Sequence, residues 1–336
     1  MMKTGNFENE ELKPEDKMSS PVIRVIGVGG AGVKMAGVIY QRNIPGVDVV
    51  VCDTDLSELD KSLVPVKLGL GFEIAQGEGT GGDAGLGRTC VRESGMIIED
   101  LIKNSPDIIV IVAGMGNGTG TGASPVLARI AKECGKLALG FLTMPFLFEG
   151  QFKIMQALEG CREMREYTDS LMILNNEVLI ANGESVSILE MIRPAADIWV
   201  NLLNSLSDLV WGVAISVMDL KHTLKNSGSF YAATGYCKKE NCIFATIMEI
   251  KEKFKGYGLT YDIESSKRLI IKTTCSTESD MFCAKNVLDE LCKFTSRLPI
   301  ACEIIGKFED DPKMDNMRIS ILFAGFDEYP ESAEDN

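Results

Sequence analysis

Apolar positions in the first half of this chain come in short runs, at 22–26 (interrupted once, by Arg24), 49–52, 108–113, 137–143 and 171–174. Each run is rich in Val, Ile, Leu and Ala and too short for a buried helix. Near-continuous apolar runs of this length read as strands covered on both faces, the habit of parallel sheets. The intervening stretches change period. After the third run, Val126, Leu127, Ile130, Ala131 and Cys134 share one face of a helix, and Gly135 follows as its stop. Strand and helix alternating from 21 to about 174 predict an α/β fold, a doubly wound, mostly parallel sheet that binds ligands at the C-terminal ends of its strands. Between 195 and 210 an apolar helical stripe, Ile198, Leu202, Leu206 and Leu209, predicts a helix buried between two domains, with Pro194 suited to its first turn. A second alternating region, about 242–326, contains predicted strands at 269–273 and 317–323 and a helix at 281–291. The first 20 residues are polar and aperiodic, and read as a disordered arm.

The loops after these strands are unusually rich in glycine. The segment Ala113-Gly-Met-Gly-Asn-Gly-Thr-Gly-Thr-Gly-Ala-Ser-Pro125 joins a buried strand to a helix. Its glycines leave backbone N–H groups free to point inward, and the helix N-terminus adds a positive dipole end, so the segment predicts a phosphate site. No Gly-Lys-Ser/Thr follows, which excludes a Walker-type loop. An earlier G-x-G-x-x-G at Gly27, Gly29 and Gly32 also follows a strand, with Asp53 about twenty residues on. Alone, that is the dinucleotide fingerprint, with the acid on a ribose hydroxyl. A third cluster, Gly77-Glu-Gly-Thr-Gly-Gly-Asp-Ala-Gly-Leu-Gly87, adds further amides. Three such loops suit several phosphates held from several sides, which favours a nucleoside triphosphate over NAD.

Composition narrows the class. With 336 residues the chain is long enough for two cores, and its formal charge of −14 argues against a nucleic-acid partner. No apolar run reaches the ~20 residues of a membrane span, and no signal peptide is apparent. Ten dispersed cysteines, several such as Cys52, Cys134 and Cys283 in apolar patterns, read as reduced thiols of a cytoplasmic protein. Cys237 and Cys242 lack the second pair that a zinc site needs. The single histidine, His222, leaves little room for His-based metal or triad chemistry.

The order and wording of these loops resemble the FtsZ branch of the tubulin/FtsZ family of GTPases. GVGGAG (27–32), CDTD (52–55), GMGNGTGTG (114–122), MPFLFEG (144–150), NNE (175–177) and EIIGKFEDDPKMDNMRISILFAGF (303–326) carry the resemblance from about Val22 to Phe326. It implies a tubulin/FtsZ fold: a GTP-binding domain at 21–194, a central helix and catalytic loop at 195–219, a smaller α+β domain at 220–328 and an acidic tail at 329–336. It implies GTP and GDP as ligands, with Mg2+ held through their phosphates and no protein side chain assigned to the metal. It also implies head-to-tail self-assembly into filaments. A membrane adaptor peptide after a long linker is usual in the family and does not occur in the ten residues after Phe326, five of them acidic. The expectation is no direct membrane binding and no docking on the usual adaptors. Another FtsZ is a candidate partner.

Carried over position by position, the resemblance implies that Gly29, Gly30, Ala31 and Gly32 line the diphosphate. Thr80, Gly81 and Gly82 fall where the γ-phosphate is sensed, and Gly116, Asn117, Gly118, Thr119, Gly120 and Thr121 form the signature loop. Asn117 replaces a glycine, and asparagine tolerates a left-handed backbone, so the turn survives. Glu149 matches a ribose contact; Asn176 and Asp197 match the pair that reads guanine. Lys34 replaces an asparagine, Lys153 an arginine, and Ile192 a base-stacking aromatic. In the catalytic loop, family members carry Asn-x-Asp-x-x-Asp, whose acids position water in the next subunit's site. Here the segment is about three residues shorter, Ala214 and Ser216 stand at two of those positions, and Asp219 matches the last acid. Asp219 has a second reading as the N-cap of the following helix. The leading expectation is therefore a filament-forming GTPase with slow, assembly-dependent turnover. A non-hydrolysing scaffold, or partner of a true FtsZ, and a Rossmann-type NAD oxidoreductase remain as alternatives.

Overall fold

The computed structural model describes residues 22–177, 188–210, 215–237, 243–256, 265–275, 289, 306–308 and 317–326. Six strands, β1 (Ile23–Val28), β2 (Val47–Asp53), β3 (Val66–Gly69), β4 (Ile108–Gly114), β5 (Leu137–Met144) and β6 (Ser170–Asn175), run parallel in the order β3-β2-β1-β4-β5-β6. The sheet continues through β7 (Gly228–Cys237), β10 (Met317–Ala324), β8 (Arg268–Cys275) and β9 (Gly306–Phe308). Strand β7 joins β6 in parallel through only two residue pairs, and β10 lies antiparallel to both β7 and β8.

The near-continuous apolar runs follow from burial on both faces. In β4, Ile108, Val110 and Val112 enter one core while Ile109, Ile111 and Ala113 enter the other. The first core is covered by α1 (Gly29–Gln41) and a long helix, α8 (Ile188–Val210); the second by α4 (Ala84–Glu93), α5 (Gly95–Lys103), α6 (Gly118–Glu133) and α7 (Gln151–Tyr167). Two short helices, α2 (Leu56–Lys61) and α3 (Phe72–Ala75), lie between β2 and α4. The first core is continuous from α1 through α8 into β7, β8 and β10. Trp199 of α8 stacks on Phe141 of β5 at 4.8 Å, and Phe141 in turn meets Phe230 of β7 at 5.8 Å. Side chains of this size, fully buried, each contribute about 1.5–3 kcal/mol, so α8 is the joint between the two halves of the sheet.

Two expectations change here. The helix expected from 195 begins at Ile188, so Pro194 lies inside it and the boundary drawn at 194 cuts through it. A proline removes one backbone donor and restricts its neighbour; the apolar face of α8, buried from Ala195 to Leu209, outweighs that cost. The glycine run expected as a loop before α6 is largely the helix itself, because Gly118, Gly120 and Gly122 occupy its first turns. Strands β3, β7 and β9 went unread: β3 is a four-residue edge strand, mostly exposed, and β7 is too rich in Gly and Ala to signal. Cys52 is buried and Cys134 half-buried, both as free thiols; Cys242, Cys283 and the helix expected at 281–291 lie outside the described residues, except Asp289, which is helical. No helix among the described residues is long and apolar enough to cross a membrane.

Candidate functional site

At the C-terminal ends of the parallel strands, where the order turns outward on either side of β1 and β4, lies a cavity of about 780 Å3. Three backbone segments build its floor. The β1–α1 turn contributes Gly29, Gly30 and Ala31; the β4–α6 turn contributes Gly114, Met115 and Asn117 to Gly120; and the loop before α4 contributes Glu78 to Gly82.

Close approach explains these glycines. A Cβ on Gly29, which has φ +71°, would stand 2.7 Å from the Gly120 nitrogen, and one on Gly120 2.4 Å from the Gly114 oxygen. One on Gly118 would strike the Thr80 hydroxyl at 2.0 Å. The N-termini of α1 and α6 are thereby packed side by side, both aimed at the cavity. Neither has a side-chain cap: Val28 and Asn117 make no capping hydrogen bond, and neither first turn holds an acid. First-turn amides without an internal acceptor are donors for a ligand, and two dipole ends together favour an anion. Gly81 and Gly82 differ in kind, since a Cβ there meets nothing within 4 Å; their positive φ, +58° and +89°, is what requires glycine.

Asn117 corrects an expectation. Its backbone is extended, φ −106° and ψ 173°, so no left-handed tolerance is involved; the left-handed residue is Gly116, φ +102°. Gly32, Gly116 and Thr121 do not line the cavity but hold its loops from behind. A Cβ on Gly32 would stand 2.4 Å from the Val112 oxygen. The Thr121 hydroxyl accepts the Gly116 N–H at 2.8 Å.

Asp53 is buried at the end of β2. Its Oδ1 accepts the N–H of Thr54 at 2.7 Å and of Asp55 at 3.3 Å. Burial pushes its carboxyl above the usual carboxylate value, against the opposing pull of those N–H groups. Beside it the Thr54 and Thr119 hydroxyls meet at 2.6 Å. Its neighbours are thus the glycine-rich segments of the cavity floor. Lys34 lines the same end, paired with Glu58 at 2.8 Å.

The opposite end is made by Pro145, Phe146, Phe148, Glu149, Lys153, Asn176, Ile192 and Ala195. Glu149 accepts the Phe146 N–H at 3.0 Å and pairs with Lys153 at 3.0 Å, so the expected ribose contact and the lysine standing for an arginine face the cavity as a linked pair. Asn176 lines the cavity. Asp197 does not: its carboxylate is 2.6 Å from the Arg42 guanidinium at the C-terminal end of α1, outside the lining. Asp219 also lies outside it. Ser216 is the N-cap of α9 (Val217–Leu224) and Asp219 is its third residue. Asp219 Oδ2 accepts the Ser216 N–H at 2.8 Å and hydroxyl at 2.7 Å, while Ser216 Oγ accepts the Asp219 N–H at 3.2 Å. The reading of Asp219 as N-cap is therefore corrected; it closes a reciprocal capping box. The Ser216 hydroxyl bond, foremost, holds its carboxyl below the ordinary value.

One contributor, Gln156, carried no sequence signal. Gln156 Nε2 donates to the Gly82 and Gly116 oxygens, both at 3.0 Å, tying two glycine-rich loops together. Its partners are backbone atoms, so no side-chain motif records the contact. Glu177 accepts the Leu147 N–H at 2.6 Å and braces the far rim.

Residues 22–184 match the model of the tubulin/FtsZ family, GTPase domain. The chain is 32% identical over 311 residues to the cell division protein FtsZ of Porphyromonas gingivalis, spanning 91% of this chain and 67% of that one. It is 29% identical over 325 residues to the cell division protein FtsZ of Coxiella burnetii, spanning 95% and 81%. Among solved structures, an FtsZ dimer of M. jannaschii superposes with a TM-score of 0.73 at 24% identity over 94% of this chain and 93% of that one. The GTPγS-bound CetZ2 protofilament from Haloferax volcanii gives 0.72 at 18% identity over 91% and 93%.

Proposed function

The chain belongs to the tubulin/FtsZ family, and from that premise we propose that it binds GTP and GDP in the cavity, assembles head to tail into filaments, and hydrolyses GTP slowly within them. The Rossmann-type oxidoreductase falls with that membership. One observation carries the reading: two uncapped helix N-termini and a glycine loop converge on a single cavity, a cradle suited to several phosphates at once. A magnesium ion fits through the phosphates, beside the acids Asp53, Asp55, Glu58 and Glu78 that line that end.

Glu149, Lys153 and Asn176 are assigned to ribose and base. Asp197 is assigned to guanine, where one carboxylate accepts from both N1–H and the 2-amino group; reading it requires Asp197 to exchange Arg42 for the base. The segments 21–194, 195–219 and 220–328 are assigned as nucleotide-binding domain, joint and C-terminal domain. Stacking is heterologous, and a rotation that does not close yields filaments. In that arrangement Asp219 of one subunit is presented to the cavity of the next. The scaffold alternative is favoured by the Ser216–Asp219 capping box, which already occupies the Asp219 carboxylate.

Chromatography of nucleotide released from denatured protein tests the ligand, with GDP or GTP expected; NAD, or equal affinity for ATP and GTP, overturns the assignment. Turnover measured against protein concentration tests the rest. Turnover per chain should rise together with sedimentable polymer. A protein that stays monomeric at tens of micromolar with GTP and magnesium, roughly the range of weak contacts, sinks the assembly reading. Polymer without turnover selects the scaffold.

A further inference from the structure

Among the described residues, the phosphate end of the cavity is lined by four carboxylates but a single lysine, Lys34; the other lining lysine, Lys153, lies at the opposite end. Of those four, Glu58 stands out. It lies in the first turn of α2, on the short segment fixed by Asp55, whose carboxylate accepts the Ser57 N–H at 2.8 Å. Glu58 Oε2 holds Lys34 at 2.8 Å and Oε1 holds Lys61 at 3.1 Å. The same Oε2 is 3.6 Å from the point where a Cβ on Gly30 would stand, so the carboxylate hangs over the first turn of α1. An anionic side chain thus sits at an amide-rich turn whose own donors are uncapped, together with Lys34 from the next turn of the helix.

We propose that Glu58 is a phosphate surrogate, which holds Lys34 over the β1–α1 turn and yields it to the phosphates of the incoming nucleotide. The proposal rests on the nucleotide reading of the cavity. Its physical content is competition. Two anions close to one ammonium share its attraction and repel each other, so a phosphate gains Lys34 only as Glu58 loses it. Lys34 is exposed, at 41%, and Glu58 half-buried, at 21%, so solvent screening weakens the effect without erasing it. Lys34 foremost, and Lys61 after it, hold the Glu58 carboxyl below its ordinary value, so the competing charge is complete at neutral pH. Glu58 is in this sense a positioning residue. It sets where Lys34 waits and how tightly the site takes a highly charged ligand.

The test uses the full chain, kept dilute enough to remain unassembled, with calorimetric dissociation constants for GDP, GTP and inorganic pyrophosphate in the presence of magnesium. Glu58→Gln keeps the shape and removes the charge; it should tighten all three ligands by about three- to tenfold, GTP most. Lys34→Gln should weaken all three. The gain from Glu58→Gln should shrink in the Lys34→Gln background, a coupling that a merely structural role of Glu58 would not produce. Unchanged or weaker binding by a folded Glu58→Gln protein overturns the proposal, as does a gain of equal size in both backgrounds. Should Glu58→Gln not fold, full parental pyrophosphate affinity in Lys34→Gln overturns it instead. Pyrophosphate carries no base, so binding of it without preference for guanine nucleotides sinks the guanine assignment alone; a parent that binds none of the three sinks both.

Discussion

Ser216 and Asp219 show how one side chain can carry two meanings. At the position of Ser216 the family pattern has an acid, and the serine reads as a loss. In the structure it is the N-cap of α9, and Asp219 returns the bond. Removing the hydroxyl by Ser216→Ala should cost about 0.5–2 kcal/mol of stability, seen in denaturant unfolding. It should also raise the Asp219 carboxyl toward its ordinary value, because the Ser216 hydroxyl is the main influence lowering it. The sign of the pH effect follows. A depressed folded value means that Asp219 stabilises the fold above the unfolded carboxylate value, and this contribution is lost as pH falls through the folded value. The acid-side loss should be smaller in Ser216→Ala, and an NMR titration that finds the Asp219 carboxyl unmoved refutes the assignment. Asp219→Ala separates cap from catalysis. A cap alone predicts the modest stability loss and unchanged turnover per polymer, whereas a water-positioning acid predicts a fall of about 10²-fold or more.

Among the elements, α6 is one whose first turns read as a loop where the structure has a helix. The glycines 118, 120 and 122 looked like a loop because glycine is the poorest helix former after proline. In this helix they must be glycine, because α4, the Thr80 loop and the Gly114 carbonyl approach too closely for any side chain. A Cβ on Gly122 would stand 1.9 Å from the Ala84 oxygen and 2.8 Å from the Arg88 nitrogen, both backbone atoms of α4. Gly122→Ala should therefore destabilise by about 3 kcal/mol or more, since neither helix can give way cheaply. Gly37, inside α1 with nothing within 4 Å, is the control; Gly37→Ala should stabilise by about 1 kcal/mol through helix propensity. Paired thermal melts check both, and equal effects would show that propensity alone governs these positions. The buried parallel strands were legible because both faces are apolar, whereas β3 and β7 were not: an exposed edge and a Gly/Ala-rich strand have no such signature. Of the site, the backbone cradle was legible because glycine spacing encodes close approach. Gln156, Glu58 and the Asp197–Arg42 pair were not, since each depends on a partner brought near only by folding.

At the scale of the whole molecule, the two halves of the sheet meet through a two-pair β6–β7 contact and the apolar face of α8, so a change at the cavity rim has a direct mechanical route to the C-terminal strands. Ile192 and Ala195 line the cavity, while Asp208, sixteen and thirteen residues further along the same helix, pairs with Arg318 of β10 at 2.8 Å. The chain carries a formal charge of −14, and the head-to-tail stacking proposed above would bring such charges together repeatedly. Long-range repulsion of this kind is screened by salt, whereas buried apolar contacts are not. The critical concentration for assembly with GTP and magnesium should therefore fall as monovalent salt rises from about 20 to about 150 mM, where the Debye length shortens to about 8 Å. Sedimentation across that series measures it. A critical concentration that instead rises with salt would mean that complementary charges at the contact, rather than the net charge of the subunits, govern assembly.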